Sequence, residues 1–520
     1  MSKSLSKKVG IASLIMMASV FLSRVIGLFR EMVIAHIGGA GASVDAYQVA
    51  FVIPDILNHV VASGFMSVTF IPIFSRYLAA NREDEGWKVF STILNCFGCF
   101  LVVLIAVDAV LTPQLIALIA PGLKNPGTIA SAVRMTRIIL PAQLFFFVGG
   151  LLMAVQFSKE KFFIPALAPL LYNLGIIAGG VILGPWIGME GFAWGVLIGA
   201  FSGNLFMQFF GVRQTGLKYF FNFDLGHPAL KQYVFQTLPL MIGLTMTFST
   251  EFFFRLFGSY LPQGSIAVLN YGLRIMLILV GLFGQAVGTA SYPFLARLVA
   301  ENKLHEMNRL LNHTLRFLAM VIPFSVLLMV LRSEVVRIIF QRGKFDSAAT
   351  ALTAEVLMYL LVGTFAFAAY TVVVRGYFAS QNTLFPALYG TIVVIVSIPL
   401  YILGMNLLGV RGVALAVSVS GIFQVTVLYA LWNKRSNNTE GRGVYAFYGK
   451  VMCFAAVLGI FLAWFKSKAL FWIDPSTLYG SLMVCLLTGA VFLVILLTAG
   501  YGLKIKEVTE LVNRLAKKLH

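Results

Sequence analysis

The sequence predicts an all-α protein that crosses a membrane many times. Of its 520 residues, 59% are hydrophobic and only 11% are charged, whereas about 25% of the residues in an average soluble domain are charged. Uncharged runs of about 20 residues, long enough to cross a hydrocarbon core of about 30 Å, recur along the whole chain. Together with an internal repeat, they predict about fourteen transmembrane helices, arranged as two parallel six-helix bundles and two additional C-terminal helices.

The predicted spans are separated by short connections, which leave no room for a soluble domain. The first span follows a basic N-terminus, as in a signal peptide, but it stays apolar as far as Arg24 and has no small-residue cleavage site. We therefore expect it to be a retained helix. The approximate bounds of the fourteen spans are 10–38, 44–79, 88–112, 128–157, 162–184, 188–212, 229–260, 264–300, 306–331, 348–378, 383–407, 410–433, 446–465 and 478–503.

The chain repeats itself at a spacing of 221 residues. Ile71–Glu85 aligns with Tyr292–Glu306, and Phe157–Leu167 aligns with Phe378–Leu388 without a gap. A third block pairs Gly188, Gly191, Ala193 and Val196 with Gly409, Gly412, Ala414 and Val417.

The repeat predicts the domain organisation. We predict an N-terminal bundle over 1–213, a C-terminal bundle over 228–434, two additional helices within 446–503, and a cytoplasmic amphipathic helix over 504–520. Because six is an even number, both bundles enter the membrane with the same orientation, and such a V-shaped pair encloses a central cavity. Rocking of the two halves around that cavity is the basis of alternating access, so the architecture favours transport.

The basic residues predict the orientation. The net charge of +19 could indicate nucleic-acid binding in a soluble protein, but here the basic residues fall mainly in alternate loops, as in the positive-inside bias. This places both termini in the cytoplasm. The loop Arg332–Lys344 is the exception, because it is basic on the predicted outer side; either it is functional, which we favour, or the span count is wrong nearby. The basic residues assigned to the cytoplasmic side are Lys3, Lys7, Lys8, Arg76, Arg82, Lys159, Lys161, Arg213, Lys218, Arg297, Lys303, Lys434, Arg435, Arg442, Lys504, Lys506, Arg514, Lys517 and Lys518.

Three charged residues lie in the first predicted span. An ionisable residue at the bilayer centre costs at least about 2.5–3.5 kcal/mol, so it normally faces a partner or a water-filled cavity. Arg24 follows fifteen uncharged residues, which places it about 22 Å along the helix. Glu31 lies almost on the same helical face as Arg24, whereas Arg30 points about 120° away. A purely structural arrangement of Arg24 with Glu31 is the alternative to a functional one.

Later spans also carry charges, and those of two spans bear most directly on a substrate site. Glu251 and Arg255 are four residues apart and favour an intrahelical ion pair, and Arg274 has no acidic residue within four positions on its own helix. Asp45 fits the N-cap of the second span. Arg24, Arg30 and Arg274 would together form a cationic cavity, and guanidinium groups suit phosphate recognition. We therefore expect an anionic, phosphorylated substrate.

Catalytic and metal-binding motifs are missing from the sequence. No GxxxxGK[ST], HExxH or Ser/His/Asp pattern occurs, and the six histidines are scattered. Cys96 and Cys99 have CxxC spacing, but no second pair or nearby histidine accompanies them, so two packing residues are favoured over a metal site. We expect a transporter rather than an enzyme, with no metal and no cofactor.

Four stretches resemble the MurJ (MviN) family of the MOP exporter superfamily. They are SRVIGLFRE at Ser23–Glu31, GAG at Gly39–Gly41, DAYQVAFVIP at Asp45–Pro54 and FQRGKF at Phe340–Phe345. The likeness covers nearly the whole chain. It implies fourteen transmembrane helices and translocation of the peptidoglycan precursor lipid II from the cytoplasmic to the periplasmic leaflet of the bacterial inner membrane.

The resemblance also implies roles for individual residues. Ser23, Arg24 and Arg30 match the family's functional residues of the first helix, and Arg274 matches its cavity arginine in helix 8. These residues bind the diphosphate and the sugar-peptide head group in the family. Helices 13 and 14, here 446–465 and 478–503, are thought to hold the polyprenyl tail.

The sequence departs from the family pattern in the second span and before Arg274. The family usually carries an arginine where this chain has Asn58 and His59, so Asn58 is the substrate-binding candidate there. A glutamate of the family is Ser63 here, and an acidic residue is Leu273.

These departures leave several functions open. Lipid II translocation is favoured; a flippase for another polyprenyl-diphosphate-linked glycan, of the O-antigen or exopolysaccharide type, is the alternative. A MATE-like exporter is disfavoured by the arginines, and a structural membrane protein would not need them. We expect a monomer in contact with membrane lipids and no nucleic-acid partner. Coupling to the membrane potential, to sodium or to protons through Glu31 stays open, with Glu251 and Arg255 as further possible counter-charges.

Overall fold

A computed structural model describes residues 3–58, 69–243 and 249–502, and these residues form helices joined by short connections, without a β-strand. The helices are α1 (Lys3–Gly38), α2 (Ala42–Ala50), α3 (Val52–Leu57), α4 (Ile71–Ala79), α5 (Glu83–Ile119), α6 (Pro126–Ile139), α7 (Ala142–Ser158), α8 (Phe163–Ile187), α9 (Glu190–Ala200), α10 (Met207–Arg213), α11 (Pro228–Gly243), α12 (Ser249–Gly258), α13 (Ser265–Leu279), α14 (Ala286–Ala300), α15 (Leu304–Leu318), α16 (Val321–Val330), α17 (Arg332–Phe340), α18 (Ser347–Leu361), α19 (Thr364–Ala379), α20 (Leu384–Leu408), α21 (Val410–Arg435), α22 (Gly441–Ala469) and α23 (Leu478–Gly502). Two π-helices, Phe201–Phe206 and Val280–Gln285, continue α9 into α10 and α13 into α14.

The all-α membrane fold is confirmed. Among the described residues, eleven helices are long and apolar enough to span a membrane, or twelve if the bent pair Ser347–Leu361 and Thr364–Ala379 counts as one span. The predicted count of fourteen is not confirmed. Three predicted spans, 44–79, 229–260 and 478–503, include residues outside the described part of the chain.

The helices group into two compact units. The first contains Met1–Ala267 and the short segment Arg342–Phe345, and the second contains Val268–Gln341 and Asp346–His520. The predicted division at 213 and 228 stays a prediction, and the predicted helix over 504–520 lies outside the described residues.

Local structure recurs at the spacing of the sequence repeat. α8 and α20 have the same length of 25 residues and start 221 positions apart. Asn81 and Asn302, at the same spacing, both adopt a positive φ, of 55° and 57°. Asparagine tolerates this left-handed region better than most residues, so it ends a helix without strain. The repeat is therefore visible in the backbone as well as in the sequence.

Glycines let α8 pack closely against α9 in the first unit. A Cβ atom added to Gly179 would clash with the backbone of Gly195, and one added to Gly175 would clash with Gly199. Small residues at such positions bring transmembrane helices into backbone contact. This packing fixes α8, which carries part of the candidate site.

The first part of the basic segment that disagreed with the predicted orientation forms α17 in the second unit, whereas Arg342 and Lys344 belong to the first unit. Glu334 is 3% exposed, and its carboxylate lies 2.7 Å from Nζ of Lys466 on α22. Arg337 donates hydrogen bonds to the carbonyl of Pro475 and to Ser481. These contacts give α17 a structural role, and a transport role for the basic segment stays a prediction.

Candidate functional site

The charged residues of α1 meet a single polar residue of α8. Arg30 donates from Nη1 to Oδ1 of Asn173 over 3.0 Å and from Nη2 to Oε1 of Glu31 over 2.6 Å. Asn173 in turn donates from Nδ2 to Oγ of Ser23 over 3.2 Å. We call Ser23, Arg30, Glu31 and Asn173 the α1–α8 polar cluster. It brings together two predicted substrate-binding residues and one predicted counter-charge.

The α1–α8 polar cluster is largely removed from the surface of the first unit. The Glu31 side chain is 5% exposed and that of Arg30 is 20% exposed. A buried carboxylate is costly unless a cation and hydrogen-bond donors surround it. Arg30 supplies that cation, so Glu31 and Asn173 hold its guanidinium in one orientation.

Arg24 differs from Arg30 in its environment. Its side chain is exposed on the surface of the first unit, on the same helix and about 9 Å from Arg30 along the axis. Phe21 and Val25 beside it are 70% and 50% exposed. Arg24 is therefore open to the surface of the first unit, whereas Arg30 is enclosed by the α1–α8 polar cluster.

Asn173 was missed by the sequence analysis. It lies in a 25-residue helix that contains no charged residue, and its Nδ2 also donates to the carbonyl of Pro169 over 2.9 Å. A polar amide is costly to place in lipid, so an asparagine inside an uncharged helix was the sequence signal that could have identified Asn173.

Asp45 caps a different helix from the one predicted. Gly41 occupies the N-cap of α2 and makes no side-chain cap. The Asp45 carboxylate instead accepts hydrogen bonds from the backbone amides of Gly264 over 2.5 Å and Ala267 over 2.8 Å, at the start of α13. The free amides at a helix N-terminus favour a carboxylate from any part of the chain. The residue type therefore predicted a capping role for Asp45, but its position in the sequence did not predict which helix it caps.

Arg255 lies between two carboxylates. Its Nη2 is 3.5 Å from an oxygen of Glu251, four residues earlier, and 3.5 Å from an oxygen of Asp55 on α3. The Arg255 side chain is only 4% exposed. The predicted intrahelical contact is present, and Asp55 adds a partner that the spacing could not reveal.

A family model described as "Lipid II flippase MurJ" matches residues 34–482. The chain belongs to the lipid II flippase MurJ family. Two relatives illustrate the likeness along the chain. A protein of Burkholderia cenocepacia named "Lipid II flippase MurJ" is 26% identical over 451 residues, covering 85% of this chain and 87% of its own length. A "Probable lipid II flippase MurJ" of Vibrio cholerae is 25% identical and covers 97% of this chain and 99% of its own.

Solved structures support the same family. A structure titled "Lipid II flippase MurJ, inward closed conformation" is 25% identical, has a TM-score of 0.74, and covers 94% of this chain and 99% of its own. The Vibrio cholerae MATE transporter VcmN has a TM-score of 0.56 at 14% identity and covers 84% of this chain and 98% of its own, so it shows the fold alone. The fold is therefore that of MurJ, and it is shared with a MATE transporter.

The positions that depart from the MurJ pattern have different environments. Asn58 directly follows α3 and is half-buried, whereas His59 and Ser63 lie outside the described residues. Leu273 is 3% exposed in the second unit, next to the half-buried Arg274. An apolar side chain suits that buried position, so no acidic group at 273 accompanies the Arg274 side chain.

The structure offers no metal site among the residues it describes: no group of three or more His, Cys, Asp or Glu side chains is placed to hold an ion there. Cys96 and Cys99 are free cysteines on α5.

Proposed function

We propose that this protein is a flippase that moves lipid II from the cytoplasmic to the periplasmic leaflet of the bacterial inner membrane by alternating access. Membership of the MurJ family and the names of its relatives support this proposal. The protein acts as a transporter rather than an enzyme, with both termini in the cytoplasm. It works as a monomer that takes its substrate from the surrounding lipid.

The arrangement of two arginines on α1 is the observation that carries the proposal. Arg30 is held by Glu31 and Asn173, whereas Arg24 is exposed on the same helix. A fixed guanidinium keeps the local helix packing constant, and an exposed one provides paired N–H donors for the oxygens of a diphosphate. Arg274 is the corresponding candidate in the second unit.

Complementation tests the proposal. The native flippase of a suitable bacterium is depleted, this chain is supplied, and growth and lipid II translocation are measured. We expect both to recover with the wild-type chain and translocation to be lost with Arg24→Ala at normal membrane levels. The matched control is Arg134→Ala, because Arg134 is another exposed arginine of the first unit, lies outside α1 and contacts Glu190 at 2.7 Å. No recovery by a well-expressed wild-type chain would refute the proposal.

A second substrate has specific support from Asn58 and Leu273. Each stands where the MurJ family carries a charged residue, so the head group of another polyprenyl-diphosphate-linked glycan is the alternative cargo. Translocation of such a glycan, of the O-antigen or exopolysaccharide type, without translocation of lipid II would establish that alternative. Arginine at position 58, introduced as Asn58→Arg, should raise lipid II transport if the missing charge has a cost.

A further inference from the structure

Arg375 of α19 contacts the second π-helix and α14, which continue α13 in the second unit. Its Nη2 donates to Oγ1 of Thr289 over 2.9 Å, and its Nη1 donates to the carbonyl of Gln285 over 3.5 Å. Gln285 is the last residue of the second π-helix, and Thr289 lies on α14. Both acceptors are neutral.

The positive charge of Arg375 is not balanced by these contacts. Among the described residues Arg375 forms no ion pair, and its side chain is half-buried. A guanidinium group has five N–H donors, and only the Nη1 and Nη2 nitrogens of Arg375 donate to these acceptors. An arginine inside a membrane span without a counter-charge is expensive and is usually explained by function.

Gly288 provides the space for this guanidinium. A Cβ atom added to Gly288 would clash with Nη1 of Arg375. The group therefore lies directly on the backbone of α14, where any larger residue at 288 would displace it. Because the end of an arginine side chain is flexible, such a residue would move the charge without unfolding the helix.

Arg274 and the Arg375 contacts share one stripe of the continuous helix formed by α13, the π-helix and α14. The stripe runs through positions spaced by three or four residues, which places them on one helical face. Ile278 and Leu282 on this stripe are 39% and 64% exposed, and Gln285 and Thr289 are exposed as well. Gln285 lies eleven residues after Arg274, or about 16 Å along the axis. The stripe consists of Arg274, Ile278, Leu282, Gln285 and Thr289.

We propose that Arg375 with Gln285 and Thr289 forms a second anion-binding position that takes the diphosphate of a polyprenyl-diphosphate lipid. The identity of the ligand rests on the proposed function. A diphosphate is much shorter than the distance of about 16 Å along the helix from Arg274 to Gln285, the contact of Arg375, so it occupies the Arg375 position and the Arg274 position one after the other. This position adds a second arginine to the second unit, beside the helix that carries Arg274.

A binding measurement on the purified full-length protein in lipid nanodiscs tests this inference. The probe is undecaprenyl diphosphate, and the control ligand is the neutral undecaprenol. Arg375→Ala should weaken diphosphate binding about tenfold and leave undecaprenol binding unchanged, because only the charge-assisted hydrogen bonds are lost. The diphosphate affinity of Arg375→Lys should fall between those of the wild type and Arg375→Ala, since lysine keeps the charge but not the paired donors.

Gly288→Ala separates the position of the charge from its presence. This variant keeps Arg375 but moves its guanidinium, so we expect diphosphate binding to fall as it does in Arg375→Ala. The matched control is Arg411→Ala, because Arg411 is also in the second unit but is paired with Glu355 at 2.6 Å. Arg411→Ala should bind the probe as the wild type does.

Two results would overturn the inference while leaving the proposed function intact. The first is wild-type binding of undecaprenyl diphosphate by both Arg375→Ala and Gly288→Ala in a chain that translocates lipid II. The second is an equal loss of diphosphate and undecaprenol binding, which would show a structural effect of Arg375. Failure of the proposed function is seen separately, as a wild-type chain that does not translocate lipid II.

Discussion

Asn173 accepts a hydrogen bond from Arg30 over 3.0 Å although 143 residues separate the two positions. The contact joins α1 to α8 inside the first unit, next to the buried carboxylate of Glu31. It explains how a charged group is accommodated on α1 without being exposed as Arg24 is.

Replacement of Asn173 by leucine should weaken this junction. Arg30 loses one acceptor and Ser23 loses its donor, so we expect a loss of about 1–2 kcal/mol in the free energy of unfolding and slower transport. Thermal unfolding in detergent and lipid II translocation measure the two effects. Asn173→Asp, which keeps an oxygen toward Arg30, is the control and should lose less stability. Wild-type stability of Asn173→Leu would show that the hydrogen bonds contribute nothing.

Glu31→Gln should leave the Arg30 charge without its counter-ion. Breaking a buried ion pair typically costs about 3–5 kcal/mol, and because Arg30 is 20% exposed we expect a smaller loss of about 2 kcal/mol. A double-mutant cycle with Arg30→Gln checks the pairing. The double variant should be more stable than Glu31→Gln alone, and strictly additive losses would contradict a direct Arg30–Glu31 interaction.

Asp45→Ala should destabilise the start of α13. The carboxylate accepts two backbone hydrogen bonds, and we expect about 2 kcal/mol to be lost when it is removed. Hydrogen exchange at the amides of Gly264 and Ala267 reports the effect locally. The control is Ser43→Ala, at an exposed position of α2, the helix that carries Asp45. Unchanged protection of the two amides in Asp45→Ala would be inconsistent with the cap.

Gly179→Leu should separate α8 from α9. Overpacking of a tight interface costs about 1–3 kcal/mol, and we expect the upper end because the new side chain meets backbone atoms of Gly195. Membrane yield and thermal unfolding measure the loss. Gly449→Leu is the matched control, since a Cβ at Gly449 meets nothing within 4 Å. Equal stability of the two variants would argue against close α8–α9 packing.

Much of the fold follows from sequence because spans and repeats are local or periodic signals. The apolar length of α8 and α20 and the 221-residue spacing could be found without a structure. Contacts between residues that lie far apart in the sequence could not be predicted in this way. Asp55 meets Arg255 across 200 residues, and no spacing rule predicts that contact.

In the candidate site, too, individual residues could be predicted from the sequence, but their distant partners could not. Ser23 and Arg30 were identified by their position on α1, but the amide that holds them, Asn173, belongs to another helix. Asp45 was recognised as a cap by residue type, yet the helix it caps depends on tertiary packing. Residue chemistry was therefore predictable, and the identity of each partner was not.

The attachment of α1 to α8 has a consequence for the charge of Arg24. Ser19 donates to the carbonyl of Ala166, and Arg30 is bonded to Asn173, so two contacts flank Arg24 on the same helix. A charge that crosses the membrane gains about 2.3 kcal/mol per 100 mV. Because α1 is bonded to α8 on both sides of Arg24, a displacement of Arg24 by a membrane potential would require α1 and α8 to move together.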